Sequence, residues 1–257
     1  MKGNRFMLQG KNGLVIGVAN DQSIAYAAAK LTKELGAEVV ATCLNDKARK
    51  YVEPVLSPLH IPLLNCNVEI EGELEATLEN AAEILGQIDF VVHFIAFAPL
   101  DDLHGDLHAS SAEGFKQAID ISCHSFIRTA HLAKPFMVNG GTLITMTYLG
   151  AHLAIPNYGL MGPVKAALES SVRYLASELG QHNIRVHAVS PGPIATRAAS
   201  GIANFDTLMA SVEKRVPLKR LVSQDEVAGL VSFLASDLAT GMTGQTLYVD
   251  CGEHMVP

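Results

Sequence analysis

At 257 residues, with 49% hydrophobic and 18% charged residues, the chain has the composition of a globular protein with an ample core, not of a disordered one. Its formal charge of −7 and the absence of a Lys/Arg block argue against nucleic acid or an anionic membrane as the main partner. The longest apolar run, around FVVHFIAFAPL, is far shorter than the roughly 20 residues that cross a bilayer. The first apolar run, LVIGVA, leads straight into a turn, which is not a signal-peptide layout. Cys43, Cys66, Cys123 and Cys251 lie far apart without a CxxC, and read as reduced thiols in a cytoplasmic protein.

The first predicted strand, GLVIGV (13–18), runs into GVANDQSIAYAAA, which starts at Gly17. This is not GxGxxG, yet the physical needs of a dinucleotide turn are met. Gly17 permits a tight turn, small residues let backbone approach a pyrophosphate, and the helix opening at Ser23 (SIAYAAAKLTKELG, 23–36) offers N–H groups and a positive dipole end. The second strand, EVVAT (38–42), ends at ATCLND. Leu44 stands where a ribose-binding acid is expected, followed by Asn45 and Asp46. No arginine is placed for a 2′-phosphate, so NAD(H) is the expected cofactor, with NADP(H) kept open by Lys47. The third strand, IPLLNC (61–66), is followed by Asn67, which reads either as an adenine contact or as a turn residue.

A helix over ELEATLENAAEILG (73–86) leads to the strand DFVVHFI (89–95), ending at Ile95-Ala96-Phe97. His104 and His108 in DDLHGDLH fall in a Gly- and Asp-rich stretch that reads as a loop with solvated imidazoles, so no metal site is expected. Next come TLITMT (142–147), a helix over NYGLMGPVKAALESSVRYLASELG (157–180), and the strands IRVHAVS (184–190) and QTLYVD (245–250). Gly36, Gly86 and Gly180 end helical patterns where a left-handed cap is expected.

The strand runs are nearly continuously apolar, as strands buried on both faces should be. Unbroken βαβ alternation predicts an α/β fold: a single doubly wound, Rossmann-like parallel sheet of seven strands with helices on both faces. No linker divides the chain, so residues 1–257 read as one dinucleotide-binding and catalytic domain. Ligands of such sheets bind at the carboxyl ends of the strands, which ties Ile95, Ala96 and the segment Thr145 to Tyr148 to the nucleotide crevice. On a helix, Lys165 would project from the same face as Tyr158, seven residues earlier, and an amine beside a phenol lowers its pKa. Such a phenol can donate to a developing oxyanion.

These motifs resemble the short-chain dehydrogenase/reductase superfamily, in which Tyr-x6-Lys is the active centre. More narrowly, GVANDQSIAYAAA, HFIAFAP, DISCHSF, TYLGA, IPNYGLMGPVKAALESSVRYLA and SPGPIATRAASGI resemble bacterial enoyl-(acyl-carrier-protein) reductases. Ketone-reducing members usually carry a serine thirteen residues before the active tyrosine, where this chain has Thr145. Enoyl reductases carry an extra tyrosine ten residues upstream, and Tyr148 matches it.

The resemblance implies hydride transfer from NADH to the β-carbon of a trans-2-enoyl thioester in fatty-acid biosynthesis. Tyr158 would hydrogen-bond the enolate, Tyr148 would orient the thioester, and Lys165 would hold the nicotinamide ribose. It further implies cofactor contacts at Gly17, Ser23, Ile24, Leu44, Asn67, Val68, Ile95, Ala96, Ile194 and Thr196. A substrate loop over about 191–215 and an acyl pocket of Phe97, Ala98, Met161, Ala198, Ile202 and Phe205 follow, as does a homotetramer. Phe94, Ala96, Asn67, Leu44 and Cys251 depart from residues usual in the family; Cys251 replaces a glycine. Relatives place bases beside the acyl portal to meet an acidic carrier protein. Here GIANFDTLMA has none, and Arg197, Lys214 and Arg215 are the nearest. A carbonyl or alcohol reductase, an enoyl-CoA reductase and a non-catalytic dinucleotide sensor are the alternatives.

Overall fold

A computed structural model describes residues 7–196 and 205–256. The chain alternates β1 (Asn12–Ile16), α1 (Ile24–Glu34), β2 (Glu38–Cys43), α2 (Asp46–Leu56), β3 (Leu63–Asn65), α3 (Glu73–Leu85) and β4 (Phe90–His93). After α4 (Leu100–His104), α5 (Ala112–Ile119) and α6 (Ser125–Ala133) come β5 (Gly141–Met146), α7 (Met161–Leu179) and β6 (Ile184–Pro191). The chain closes with α8 (Phe205–Arg215), α9 (Gln224–Ala235) and β7 (Gln245–Val249). The seven strands pair in parallel in the order β3-β2-β1-β4-β5-β6-β7, so the expected doubly wound, Rossmann-like sheet is present.

Strand residues alternate between two cores. Leu14, Ile16, Val91 and Leu143 face the layer of α3, α6 and α7, whereas Val15, Val92 and Ile144 face α1, α2 and α9. Each large apolar side chain buried this way contributes roughly 1.5–3 kcal/mol. The alanines Ala25, Ala27, Ala28 and Ala29 make α1 thin enough to lie close to both the sheet and α9. Ser23 caps α1 by accepting from the Tyr26 N–H, and a Ser223/Glu226 capping box starts α9.

Two predicted boundaries shift for local reasons. The helix expected over 157–180 starts only at Met161, because Asn157 (φ 61°) and Gly159 (φ 24°) hold backbone that a right-handed helix cannot continue through. Gly180 is right-handed (φ −57°), and the left-handed stop falls on Asn183 after one more 3-10 turn. Gly36 (φ 100°) and Gly86 (φ 80°) do take positive φ. The histidine stretch is also more ordered than expected: His104 ends α4 and His108 lies in a 3-10 turn, both exposed. No His/Cys/Asp/Glu group that could hold a metal ion, and no helix long and apolar enough to cross a membrane, occurs among the described residues.

The sheet order reverses direction between β1 and β4, so their carboxyl ends open the crevice where such folds bind ligands. The two strands approach closely because Gly13 pairs with Phe90, whose ring lies where a Cβ on Gly13 would be, 2.0 Å from Cζ. Phe90 is fully buried. Gly13→Ala should therefore cost about 1–3 kcal/mol by overpacking, and Phe90→Leu in the same chain should recover part of it, as read from urea unfolding midpoints.

Candidate active site

At the β1 turn, Gly17 has φ 101° and donates its N–H to Thr42 Oγ1 at 3.1 Å. A Cβ there would sit 2.6 Å from the Phe94 carbonyl oxygen and 3.4 Å from Ile95 Cγ1. Only glycine combines this φ with so close an approach of the chain after β4, which is the tight strand-to-helix turn that a dinucleotide site needs. Ser23, one step before the first turn of α1, binds the Asn20 carbonyl with its hydroxyl at 2.7 Å, and Ile24 opens the helix. Leu44 lies exposed just beyond β2. Asn67 closes a turn by accepting the Glu69 N–H at 3.1 Å, as its reading as a turn residue expects. Val68 is buried and its carbonyl accepts from Arg128 at 3.0 Å. Ile194 and Thr196 follow β6 at the same edge of the sheet.

Arg49 of α2 approaches this end of the crevice, a placement the sequence reading missed because α2 carries it back over β3. Its guanidinium binds Asn65 Oδ1 at 3.3 Å, the Leu63 carbonyl at 3.0 Å and Glu53 Oε1 at 3.4 Å. Asn65 in turn donates to Asp46 at 2.6 Å. The arginine is thus engaged with the framework and has a carboxylate beside it.

Tyr148, Tyr158 and Lys165 converge beyond the end of β5. The two phenol rings meet edge-on with centroids 5.0 Å apart and planes at 70°. Gly150 makes the contact possible, since a Cβ there would lie 2.5 Å from the Tyr158 ring. The Tyr148 hydroxyl is buried without a hydrogen-bond partner. Lys165 is 4% exposed and its ammonium donates to the Met146 carbonyl at 2.8 Å. Burial lowers its pKa to about 8, opposed by the fields of Cys123 and Glu169.

Two expectations about the phenol need correction. Tyr158 does not share the helix with Lys165: it lies in the turn before α7 and not on its surface. Its pKa is raised, by burial and then by Tyr148, with no lowering by Lys165. Desolvation outweighs any field from an amine that is itself tied to a carbonyl. Tyr158 is therefore a neutral donor. Burial and then Glu253 raise Tyr148 in the same way.

Of the residues expected to line an acyl pocket, Phe97 is 44% exposed, Ala98 and Phe205 are half-buried, and Met161 is buried at the start of α7. Ala198, Ile202 and Arg197 lie outside the described residues. Thr145 turns its hydroxyl to His93, 3.5 Å from both Nδ1 and the carbonyl oxygen. A cavity of about 440 Å³ lies at the opposite, amino edge of the sheet. Its cations Lys11 and Arg185 are already bound to Asp237 and to the Ser236 and Ala239 carbonyls.

A family model described as enoyl-(acyl carrier protein) reductase matches residues 17–254. The chain belongs to this family. It is 46% identical over 253 residues to an enoyl-(acyl-carrier-protein) reductase (NADH) of Nostoc sp., covering 97% of this chain and 98% of that one. An NADPH enzyme of the same name from Staphylococcus aureus is 42% identical over 252 residues, covering 97% and 98%. Among solved structures, the Anaplasma phagocytophilum reductase in complex with NAD is similar at TM-score 0.94 and 41% identity, covering 98% of this chain and 96% of that one. The Bacillus cereus reductase with NADP+ and indole naphthyridinone is similar at TM-score 0.95 and 41% identity, covering 98% and 99%.

The family's short motifs leave several supporting residues of this site unread. In the π-helical turn Asp120–His124, the Ser122 hydroxyl accepts the Phe97 N–H at 2.8 Å and donates to the Phe97 carbonyl at 3.0 Å, latching the loop after β4. Buried His93 binds Ser125 Oγ at 2.9 Å and is held neutral, its pKa lowered to about 3 by burial and then by Lys165. Glu169 and Glu253 are buried carboxylates, and half-buried Arg215 pairs with Glu253 at 2.9 Å. A π turn inside DISCHSF and a carboxylate inside an apolar helix face were the available signals.

The lowered pKa of Lys165 predicts a stability slope. Between about 8 and 10.5 the unfolded chain holds a proton that the folded chain has released, so this group makes stability rise with pH across that window. Lys165→Met should flatten the rise, and the difference between the two chains in urea midpoint against pH isolates it. Parallel profiles for the two would contradict the assignment.

Proposed function

We propose that residues 1–257 form one catalytic unit that reduces the trans-2 double bond of an enoyl thioester, carried on acyl carrier protein, with hydride from NADH. The observation that carries this reading is the pair of tyrosines. Tyr148 meets Tyr158 edge-on and presents a buried, unpartnered hydroxyl, while Thr145, at the position of the ketone-reducing serine, faces His93. An unpaired buried hydroxyl costs about 1–3 kcal/mol, and a thioester oxygen arriving there would satisfy it.

When bound, the cofactor would supply hydride to the β-carbon, and a proton taken up at the α-carbon of the resulting enolate would complete the saturated thioester. Tyr158, a neutral phenol, donates a hydrogen bond to the oxygen that becomes an enolate, and Tyr148 orients the thioester beside it. The Lys165 ammonium would hold the ribose hydroxyls of the nicotinamide half. Gly17, Ser23, Ile24, Leu44, Asn67, Val68, Ile95, Ala96, Ile194 and Thr196 frame the rest of the cofactor. Phe97, Ala98, Met161 and Phe205, and by the family resemblance Ala198, Ile202 and the segment 191–215, would contact the acyl chain. Preference for NADH is supported by Leu44 at the β2 end, the engaged Arg49 and the nearby Asp46 carboxylate, which would repel a 2′-phosphate.

A carrier-protein partner is supported by Lys214 and Lys219, exposed at and after the end of α8; Arg215 is already paired with buried Glu253 and Arg220 with Glu226. Exposed Tyr174 and Phe115 supply apolar surface for copies of the chain in a homotetramer. Four free cysteines fit a reducing, cytoplasmic setting.

NADH oxidation should proceed with crotonyl thioesters, faster on carrier protein than on CoA and faster than with NADPH, and not with a ketone panel. Ketone turnover alone would overturn the reading. Tyr158→Phe should lower kcat about 100-fold while NADH affinity changes little, because the enolate contact exists mainly in the transition state. Lys165→Ala should weaken NADH binding as well. Equal small effects of both changes would count against these roles.

A further inference from the structure

Glu169 sits on α7 one turn beyond Lys165 and is 2% exposed. Both of its carboxylate oxygens are engaged, by groups that bracket the segment 148–151. Thr147 Oγ1 donates to Oε1 at 2.7 Å, and His152 Nε2 meets Oε2 at 2.6 Å. Thr147 immediately precedes Tyr148, and His152 follows it by four positions. Between these two anchors the chain closes a 3-10 turn, with the Tyr148 carbonyl accepting the Ala151 N–H at 2.9 Å. Inside that turn, Gly150 seats the Tyr158 ring. The carboxylate therefore clamps both ends of the segment that sets one tyrosine against the other.

Burying a carboxylate costs several kcal/mol that an apolar residue would not. The hydrogen bonds to Thr147 and His152 offset that cost only in this one arrangement of the segment. We propose that Glu169 is a positioning residue for enoyl reduction, holding the Thr147–His152 segment so that Tyr148 stands edge-on to Tyr158. The proposal rests on the enoyl-reductase reading above. His152 is the part of the clamp open to solvent, with 52% of its side chain exposed, and Arg173 touches Glu169 only at its carbonyl. A second route of action exists, because the same charge favours the ammonium of Lys165. The two routes have different kinetic signatures.

With crotonyl thioester and NADH, Glu169→Ala should lower kcat about tenfold or more, the scale of a reacting group displaced by a fraction of an ångström, with KM for NADH changed less than about twofold. Glu169→Gln keeps an acceptor for Thr147 and a hydrogen-bonding group for His152, and should recover most of the loss. His152→Ala, at a half-exposed position, should cost about threefold. In a Tyr148→Phe background the Glu169→Ala effect should shrink to under about twofold, the non-additivity of residues acting as a unit.

Unchanged kcat in folded Glu169→Ala protein, or full additivity with Tyr148→Phe, would overturn the proposal. So would a Glu169→Gln variant as impaired as Glu169→Ala with raised KM for NADH, which would mean action through Lys165. Independently of turnover, ring-labelled tyrosine NMR should show the Tyr148 resonance shifted in Glu169→Ala and restored in Glu169→Gln; an unmoved resonance would sink the clamp. Wild-type protein inactive on every enoyl thioester would remove the functional reading, while the resonance would still decide whether Glu169 holds Tyr148.

Discussion

A cation sealed from water governs the architecture of this site. The Lys165 ammonium is held by the Met146 carbonyl at the end of β5, and three elements have to meet for that bond to form. β5 must deliver its last carbonyl, α7 must begin close to it, and the π-helical turn around Cys123 must close the third side. Burying an ammonium is costly, and the partners that offset the cost are one carbonyl and the field of the Glu169 carboxylate. The tyrosines inherit their places from the same convergence.

The phenol chemistry follows from burial more than from charge. Tyr158 stays protonated because it is desolvated, and a neutral phenol is the better donor to an oxygen that gains charge during reaction. Its position comes from backbone rather than helix periodicity. Asn157 and Gly159, both at positive φ, turn the chain so that Tyr158 lies under Gly150 instead of on the surface of α7. On the neighbouring strand, neutral His93 of β4 binds both Thr145 of β5 and Ser125 of α6, so the Thr145 hydroxyl is turned to His93.

Departures from the usual family residues now have physical surroundings. Cys251 has φ 56°, a left-handed backbone in which glycine is unstrained and cysteine is not, and its carbonyl accepts the Leu218 N–H at 3.4 Å. Phe94 is half-buried among the α1 and α9 side chains, with its carbonyl beside Gly17. Nothing in the structure accounts for Ala96, which is exposed. The C-terminal turn is fastened by the pair of half-buried Arg215 with fully buried Glu253, which brings charge near Tyr148.

The sheet, its parallel pairing, the helices on both faces and the edge that carries the site were all legible in the chain, because continuous apolar runs and βαβ rhythm are local patterns repeated along it. Gly17 was singled out by its place after the first strand, and Tyr148, Tyr158 and Lys165 by motifs that resemble a family's, and such motifs are read without coordinates. The tertiary structure decided the rest. That Tyr158 precedes α7, that its proton is held by burial, that Arg49 folds back over β3, and that Glu169 grips both sides of Tyr148 all depend on distances between segments remote in sequence. Desolvation and hydrogen-bond partnership belong to places in space, and no periodicity in the chain encodes them.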